Sequence, residues 1–226
     1  MSSDENTPPS ARRTFLEKAA LGTVALATAP LLASCAGAAP VAQAPADEEP
    51  WIKPLTGKHK QVFDAPVTNE GFPLIFAYAY IGTMTSALNL KPGEVSAIVI
   101  ARHFGMPLAL KDEIWAKYHL GELIKVNDPA TKKPSLRNIF FNAKEGDMMM
   151  IEASAEKLIA QGVVIGVCNV ALQKISGMLA AQMKLKPDDV YNEFKAGVIP
   201  GAHVVPSGVM AVGRAQEKGC SYCFAG

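Results

Sequence analysis

Apolar and polar positions along the chain divide it into short apolar runs and amphipathic stretches in regular succession. Leu74–Ile81 (LIFAYAYI) is an apolar run between Pro73 and Gly82, and Val95–Ala101 (VSAIVIA) is a β-branched run after Pro92-Gly93. Both patterns predict strands buried on two faces, with a short helix over Thr83–Leu90 between them. From Pro107-Leu108 the chain reads LALKDEIWAKYHLG. Leu110, Ile114 and Tyr118 fall at helical spacing, Asp112 and Glu113 sit in the first turn, and Gly121 supplies a stop, so an amphipathic helix is expected. Met149–Gln161 predicts another helix ended by Gly162, and Val163–Val167 (VVIGV) a buried strand. Asn169 is expected to cap a helix running to about Met183. A helix follows from Pro187 to Phe194, with proline in the first turn where its missing donor does no harm, then a strand over Ala202–Val205. Ser207 is expected to cap a helix to Lys218, and Gly219 to end it before a last strand, Cys220–Phe224. Alternation of this kind predicts an α/β fold with a parallel sheet covered on both faces, because parallel neighbours need crossovers and the crossovers available are helices. Glu122–Asp147, with Pro129, Pro134 and Lys132-Lys133, is the least regular stretch, and a loop of that length is expected to be functional or mobile.

The first residues read differently. Residues 1–18 are polar and carry Arg12-Arg13 followed by Phe15-Leu16 and Lys18, the pattern of a bacterial Tat (twin-arginine) signal. Ala19–Ser34 holds no charge, is interrupted by Pro30, and is too short and alanine-rich to span a bilayer comfortably. It ends in Leu32-Ala33-Ser34-Cys35, which resembles a lipobox and makes Cys35 a candidate for lipidation; Ala36-Gly37-Ala38 and Ala42-Gln43-Ala44 leave simple cleavage open. The following Ala/Pro/acidic stretch reads as a tether. The division is therefore a signal over residues 1–35, a tether and N-terminal extension over 36–71, and an α/β domain over 72–226. A periplasmic location follows, with the membrane reached only through the lipid anchor.

Of the 226 residues, 49% are hydrophobic and 19% charged, a balance that excludes a disordered or collagen-like chain. Lys and Arg number 22 against 21 Asp and Glu, for a net charge of +1, and no window concentrates basic residues, so nucleic acid is not an expected partner. Four cysteines are too few for a disulfide scaffold, and about 190 residues beyond the leader bury a full core unaided.

Candidate chemistry centres on Cys168. It follows VVIGV and precedes a helix start, which puts it at the carboxyl end of a parallel strand, where open α/β sheets place ligands and where amide donors favour thiolate. The alternative for this residue is a buried structural cysteine. Arg102-His103 ends the second predicted strand at the same edge, so a cationic pair beside the thiolate would lower its pKa and hold an anion. Cys220-Ser221-Tyr222-Cys223 lacks the histidine of a haem-attachment motif and lies on a strand rather than at a helix start. Positions i and i+3 of a strand face opposite ways, so two independent thiols or a strained, reducible bridge are expected of this candidate redox pair. No second C-x-x-C completes a zinc site, and no metal or cofactor is expected. His59, His119 and His203 receive no role, Trp115 is assigned to the core, and Met148–Met150 to packing.

The segments Gly162–Leu172, Val198–Gly208 and Arg214–Tyr222 together resemble the DsrE/DsrF-like family, over roughly residues 72–226 and most closely from 156 onward. The resemblance implies a three-layer sandwich with a mainly parallel sheet of about five strands, assembly as a homo-oligomer (trimer or hexamer), and a role in sulfur relay. Cys168 matches the family's cysteine, which accepts sulfur as a persulfide from small sulfur species or a partner thiol protein. Arg102, His103, Asn169 and Ser207, all at strand ends or helix starts of one edge, form the candidate binding set. The export signal and the cysteines at 220 and 223 depart from the family's pattern. A non-catalytic, membrane-tethered oligomeric binding protein with its ligand pocket at the strand C-terminal edge is the alternative function.

Overall fold

The computed structural model describes residues 49–226, and the expectations for the Tat signal, Cys35 and residues 36–48 lie outside the described residues. Five strands form one sheet: β1 (His59–Val67), β2 (Val95–Phe104), β3 (Val164–Cys168), β4 (His203–Val205) and β5 (Ser221–Phe224). Their order is β4-β3-β2-β1-β5 and every pairing is parallel. The expected class, a three-layer α/β sandwich on a five-stranded parallel sheet, is the class observed.

One of the five strands is not the one expected. Leu74–Ile81 lies inside helix α1 (Phe72–Ala87), which absorbs the short helix expected over Thr83–Leu90. Pro73 stands in the first turn, where no donor is required of it, and Gly82 sits on an open face of the helix. The strand that precedes it, β1, comes from residues assigned to the extension. It carries Lys60, Gln61, Asp64 and Pro66, so it never reads as an apolar run, yet it lies between β2 and β5. The described residues 49–226 accordingly fall in one compact unit, and the sheet begins well before residue 72.

The helix expected over 107–121 is three pieces. A 3₁₀ turn (Met106–Ala109) precedes α2 (Asp112–Lys117) and α3 (Leu120–Leu123), and the break falls at His119, which is left-handed at φ 50°. Gly121 is not a stop. It lies inside α3, where a Cβ would stand 2.3 Å from the Ser135 carbonyl oxygen, so the close approach of that strand of loop requires glycine. Similarly, Met149–Gln161 resolves into a 3₁₀ turn (Ile151–Ala153) and α4 (Ala155–Ala160). Met148 packs in the core as expected, whereas Met149 is 76% exposed. The remaining helices are α5 (Asn169–Met183), α6 (Pro187–Ala196) and α7 (Gly208–Glu217).

Side chains alternate across the sheet and build two cores. Phe63, Ala65, Val99, Ala101, Ile165 and Val167 meet α1 to α6, with Trp115 and Tyr118 fully inside. Val62, Ile98, Ile100, Val164 and Val205 meet Ala211 and Ala215 of α7 together with Trp51, Ile52 and Leu55. The second face therefore has a single long helix and one short segment over it. Glu122–Asp147 is an ordered loop: Arg137 binds Asp128 through Nε at 2.7 Å and Asp147 through both terminal nitrogens at 2.6 Å. Among the described residues no helix is long and apolar enough to cross a membrane.

Candidate functional site

Cys168 is the last residue of β3, the strand whose five residues are all buried. It, and not Asn169, is the N-cap of α5. Its backbone is extended, and its Sγ accepts the Ala171 N–H at 3.3 Å, within the longer reach that sulfur allows. Asn169 is the first helical residue and looks elsewhere: its Oδ1 accepts the Tyr191 hydroxyl from α6 at 2.7 Å. The residue is 5% exposed.

Arg102 lies beside it by register. Ala101 of β2 pairs with Val167 of β3, so Arg102 and Cys168 follow at the same level on adjacent strands, which in a sheet run about 4.8 Å apart. The sulfur adds slightly to the field that keeps Arg102 charged, but the guanidinium is not hydrogen-bonded to it. It is turned back to Asp64 of β1, with Nε on Oδ1 at 2.6 Å and Nη2 on Oδ2 at 2.9 Å. The Tyr222 hydroxyl of β5 donates to the same Oδ2 at 2.9 Å. Hydrogen bonding to Asp64 raises the Arg102 pKa further, so the guanidinium stays charged. Asp64 and Tyr222 are members of this edge that sequence patterning does not reveal. An aspartate in the middle of VFDAPV is visible, but its partners lie 38 and 158 positions away on other strands.

The other expected residues divide. His103 is exposed and left-handed at φ 49°, its ring edge-on to Phe104 at 4.5 Å, and among the described residues it forms no hydrogen bond or ion pair. The pairing of His103 with the Cys168 thiol is not present. Ser207 occupies the N-cap of α7, yet its side chain makes no capping bond, so the expected hydroxyl cap is corrected. What α7 brings to the edge is Gly208, where a Cβ would meet the Arg102 Cβ at 2.5 Å. Cys220 belongs to the second core and Cys223 packs against the first, so the two free thiols sit on opposite faces of the sheet and do not meet. Burial pushes both thiols up. Among the described residues no group of three or more His, Cys, Asp or Glu side chains converges as a metal site.

No family model matches this chain. No curated protein matches it either. Among solved structures it is similar to a protein of unknown function from Methanobacterium thermoautotrophicum, at 18% identity and a TM-score of 0.38, over 74% of this chain and 98% of that one.

Proposed function

We propose that this protein carries sulfane sulfur on Cys168 as a persulfide, and does so after export through its twin-arginine leader. The observation that supports the reading is the placement of Sγ: it ends a central parallel strand, receives a backbone N–H from the first turn of α5, and lies level with a permanently charged guanidinium on the next strand. Sulfur species of the required kind are anions, to which the amide end of α5 is complementary, while the charge of Arg102 is shared with Asp64.

The transfer balances without an external oxidant or reductant. The Cys168 thiolate attacks the outer sulfur of thiosulfate, a bond forms between Sγ and that sulfur, the bond to the sulfonate sulfur breaks, and sulfite leaves with the electron pair. An acceptor nucleophile then takes the terminal sulfur and returns Cys168 as thiolate. With the residue only 5% exposed, the site admits only a small donor. Once loaded, the terminal sulfur stands about 2 Å farther out along the S–S bond, where an acceptor reaches it more easily.

Thiosulfate and cyanide supply the test. The chain is expected to form thiocyanate and sulfite in equal amounts, and Cys168→Ser to abolish both. Undiminished turnover in that variant would overturn the proposal.

A further inference from the structure

β5 is an edge strand, paired with β1 on one side and, among the described residues, with no strand on the other. We infer that it pairs antiparallel with β5 of a second copy of this chain, about a two-fold axis through Cys223, so that two five-stranded sheets become one. The inference does not depend on the sulfur chemistry assigned to Cys168.

The register follows from which backbone groups point outward. The Ala225 N–H donates to the Asp64 carbonyl at 2.9 Å, so Ser221, Cys223 and Ala225 bond toward β1 and the residues between them turn away from it. The outer edge therefore offers the N–H and C=O of Tyr222 and of Phe224, and among the described residues the Phe224 carbonyl meets only the Cys223 thiol, at 3.6 Å. An antiparallel β5 satisfies all of these groups when Tyr222 of each copy stands opposite Phe224 of the other, because such a pair exchanges both of its hydrogen bonds. Moving the axis to Tyr222 would set Phe224 against Cys220, whose N–H is already given to the Ala215 carbonyl at 3.0 Å.

The side chains fit the same register. Tyr222 and Phe224 lie opposite Val62 and Asp64, on the thinly covered face of the sheet, and are 46% and 57% exposed. Paired as described, each Tyr222 ring stands beside the Phe224 ring of the second copy on that face, so the exposed aromatics cover one another, and cross-strand aromatic pairs are favourable. Residues 221–224 hold neither charge nor proline, the usual means by which an edge is blunted. The chain beyond them is drawn inward, with Asn69 Nδ2 donating to the Ala225 carbonyl at 3.3 Å. The opposite edge strand, β4, has three residues and is followed by Pro206, which has no N–H to offer a neighbour.

One short strand and its aromatic pairs make a small interface, below about 1,200 Å², so association is expected to be reversible and concentration-dependent. The two strands run in opposite directions, which places the two Cys168 edges on opposite sides of the joined sheet. Cys223 faces Cys223 of the second copy in a pair without hydrogen bonds, where Cα atoms stand about 4.5 Å apart, within the span of a disulfide. The thiols therefore report the register: added diamide takes two protons and two electrons from them, leaving a disulfide and the corresponding hydrazine.

The test is sedimentation of the reduced full-length chain over about a hundredfold range of concentration, followed by diamide treatment and peptide mass spectrometry of the dimer. A monomer–dimer equilibrium is expected, with the cross-link joining Cys223 to Cys223. Phe224→Lys, a change at an exposed position, is expected to weaken association about tenfold or more. Cys223→Ser should abolish the cross-link and leave the reduced dimer, and Cys168→Ser should dimerise and cross-link as the unaltered chain does, so a failure of the sulfur assignment leaves this result untouched. A chain that stays monomeric, cross-links confined to other cysteines, or an oligomer insensitive to Phe224→Lys would each overturn the inference; the cross-link in the unaltered chain needs no variant to fold.

Discussion

Asp64, at 4% exposure, accepts three hydrogen bonds, two from Arg102 and one from Tyr222. A carboxylate so placed is tolerated because its partners are fixed on neighbouring strands, and the side chain of Arg102 is itself only 28% exposed. Asp64→Asn removes the charge and one acceptor while leaving the cation in place. It is expected to destabilise the protein by about 2 kcal/mol, below the 3–5 typical of fully buried pairs because Arg102 reaches solvent. Chemical denaturation measures it, and a change under 0.5 kcal/mol would show that the pair does little for stability. Gly208→Ala tests the other support of Arg102. Its new methyl group meets the Arg102 Cβ rather than a flexible tip, so the helix or the arginine must shift, at about 1–3 kcal/mol. At this scale Cys168 and Arg102 were legible as strand-end residues of one edge. Asp64 and Tyr222 were not, since the pairing that makes a buried aspartate sensible is set by strand order.

Elements were legible where periodicity and sequence-local caps agree. Val95–Ala101 lies within β2, the strand expected at Val163–Val167 is β3 one residue later, and the helices from 169, 187 and 208 begin within a residue of the expected positions. Leu74–Ile81 misleads because α1 is apolar on most sides, with Leu74, Ile75 and Ala77 buried and Tyr78, Tyr80 and Ile81 partly so, which erases the helical period. The 107–121 stretch has helical spacing, but tertiary contacts break it: Trp115 Nε1 donates to the Pro107 carbonyl, Tyr118 donates to Glu193, and the chain turns at His119. The 122–147 loop is held by side chains rather than by regular structure, and its behaviour in acid follows from the charges. Hydrogen bonds from the Thr131 and Ala130 amides and from Arg137 hold the Asp128 carboxyl below its ordinary value. Burial raises Asp147, but Arg137 and the Lys144 amide outweigh it, and the net direction is again downward. Groups with lowered folded values contribute stability that is complete above their unfolded pKa, about 4, and is lost as pH falls through the folded values. Amide exchange over residues 126–148 is therefore expected to accelerate as the pH is lowered from 5 to 3. In Arg137→Ala exchange should be fast throughout, and stability lower by about 2 kcal/mol. An acid response unchanged in that variant would remove the clamp from the explanation.

Across the whole molecule the two faces of the sheet are unequal. The main face is covered by six helices, the other by α7 and by Trp51, Ile52 and Leu55 from the segment ahead of β1. That segment falls in the stretch read as a tether and N-terminal extension, and the alanine, proline and acidic composition behind that reading describes residues 36–50 and says nothing of the tryptophan that follows. Trp51 is 3% exposed, and Trp51→Ala is expected to destabilise the protein by about 3–5 kcal/mol, lowering its melting temperature by roughly ten degrees. A shift of a degree or two would return the segment to the status of an appendage. The parallel sheet also fixes where chemistry can gather. All five strands point their C-terminal ends the same way, so Asp64, Arg102 and Cys168 come to one edge although they are far apart in sequence. The assignment of sulfur transfer to that edge is tested most directly by peptide mass spectrometry of the full-length protein after exposure to thiosulfate or polysulfide, with Cys168→Ser alongside. The account predicts a mass gain of whole sulfur atoms, reversed by reductant, on the Cys168 peptide alone, while Cys220 and Cys223, whose thiols burial holds protonated, remain unloaded. Sulfur found on Cys220 or Cys223 with none on Cys168, or no gain at all, would contradict it.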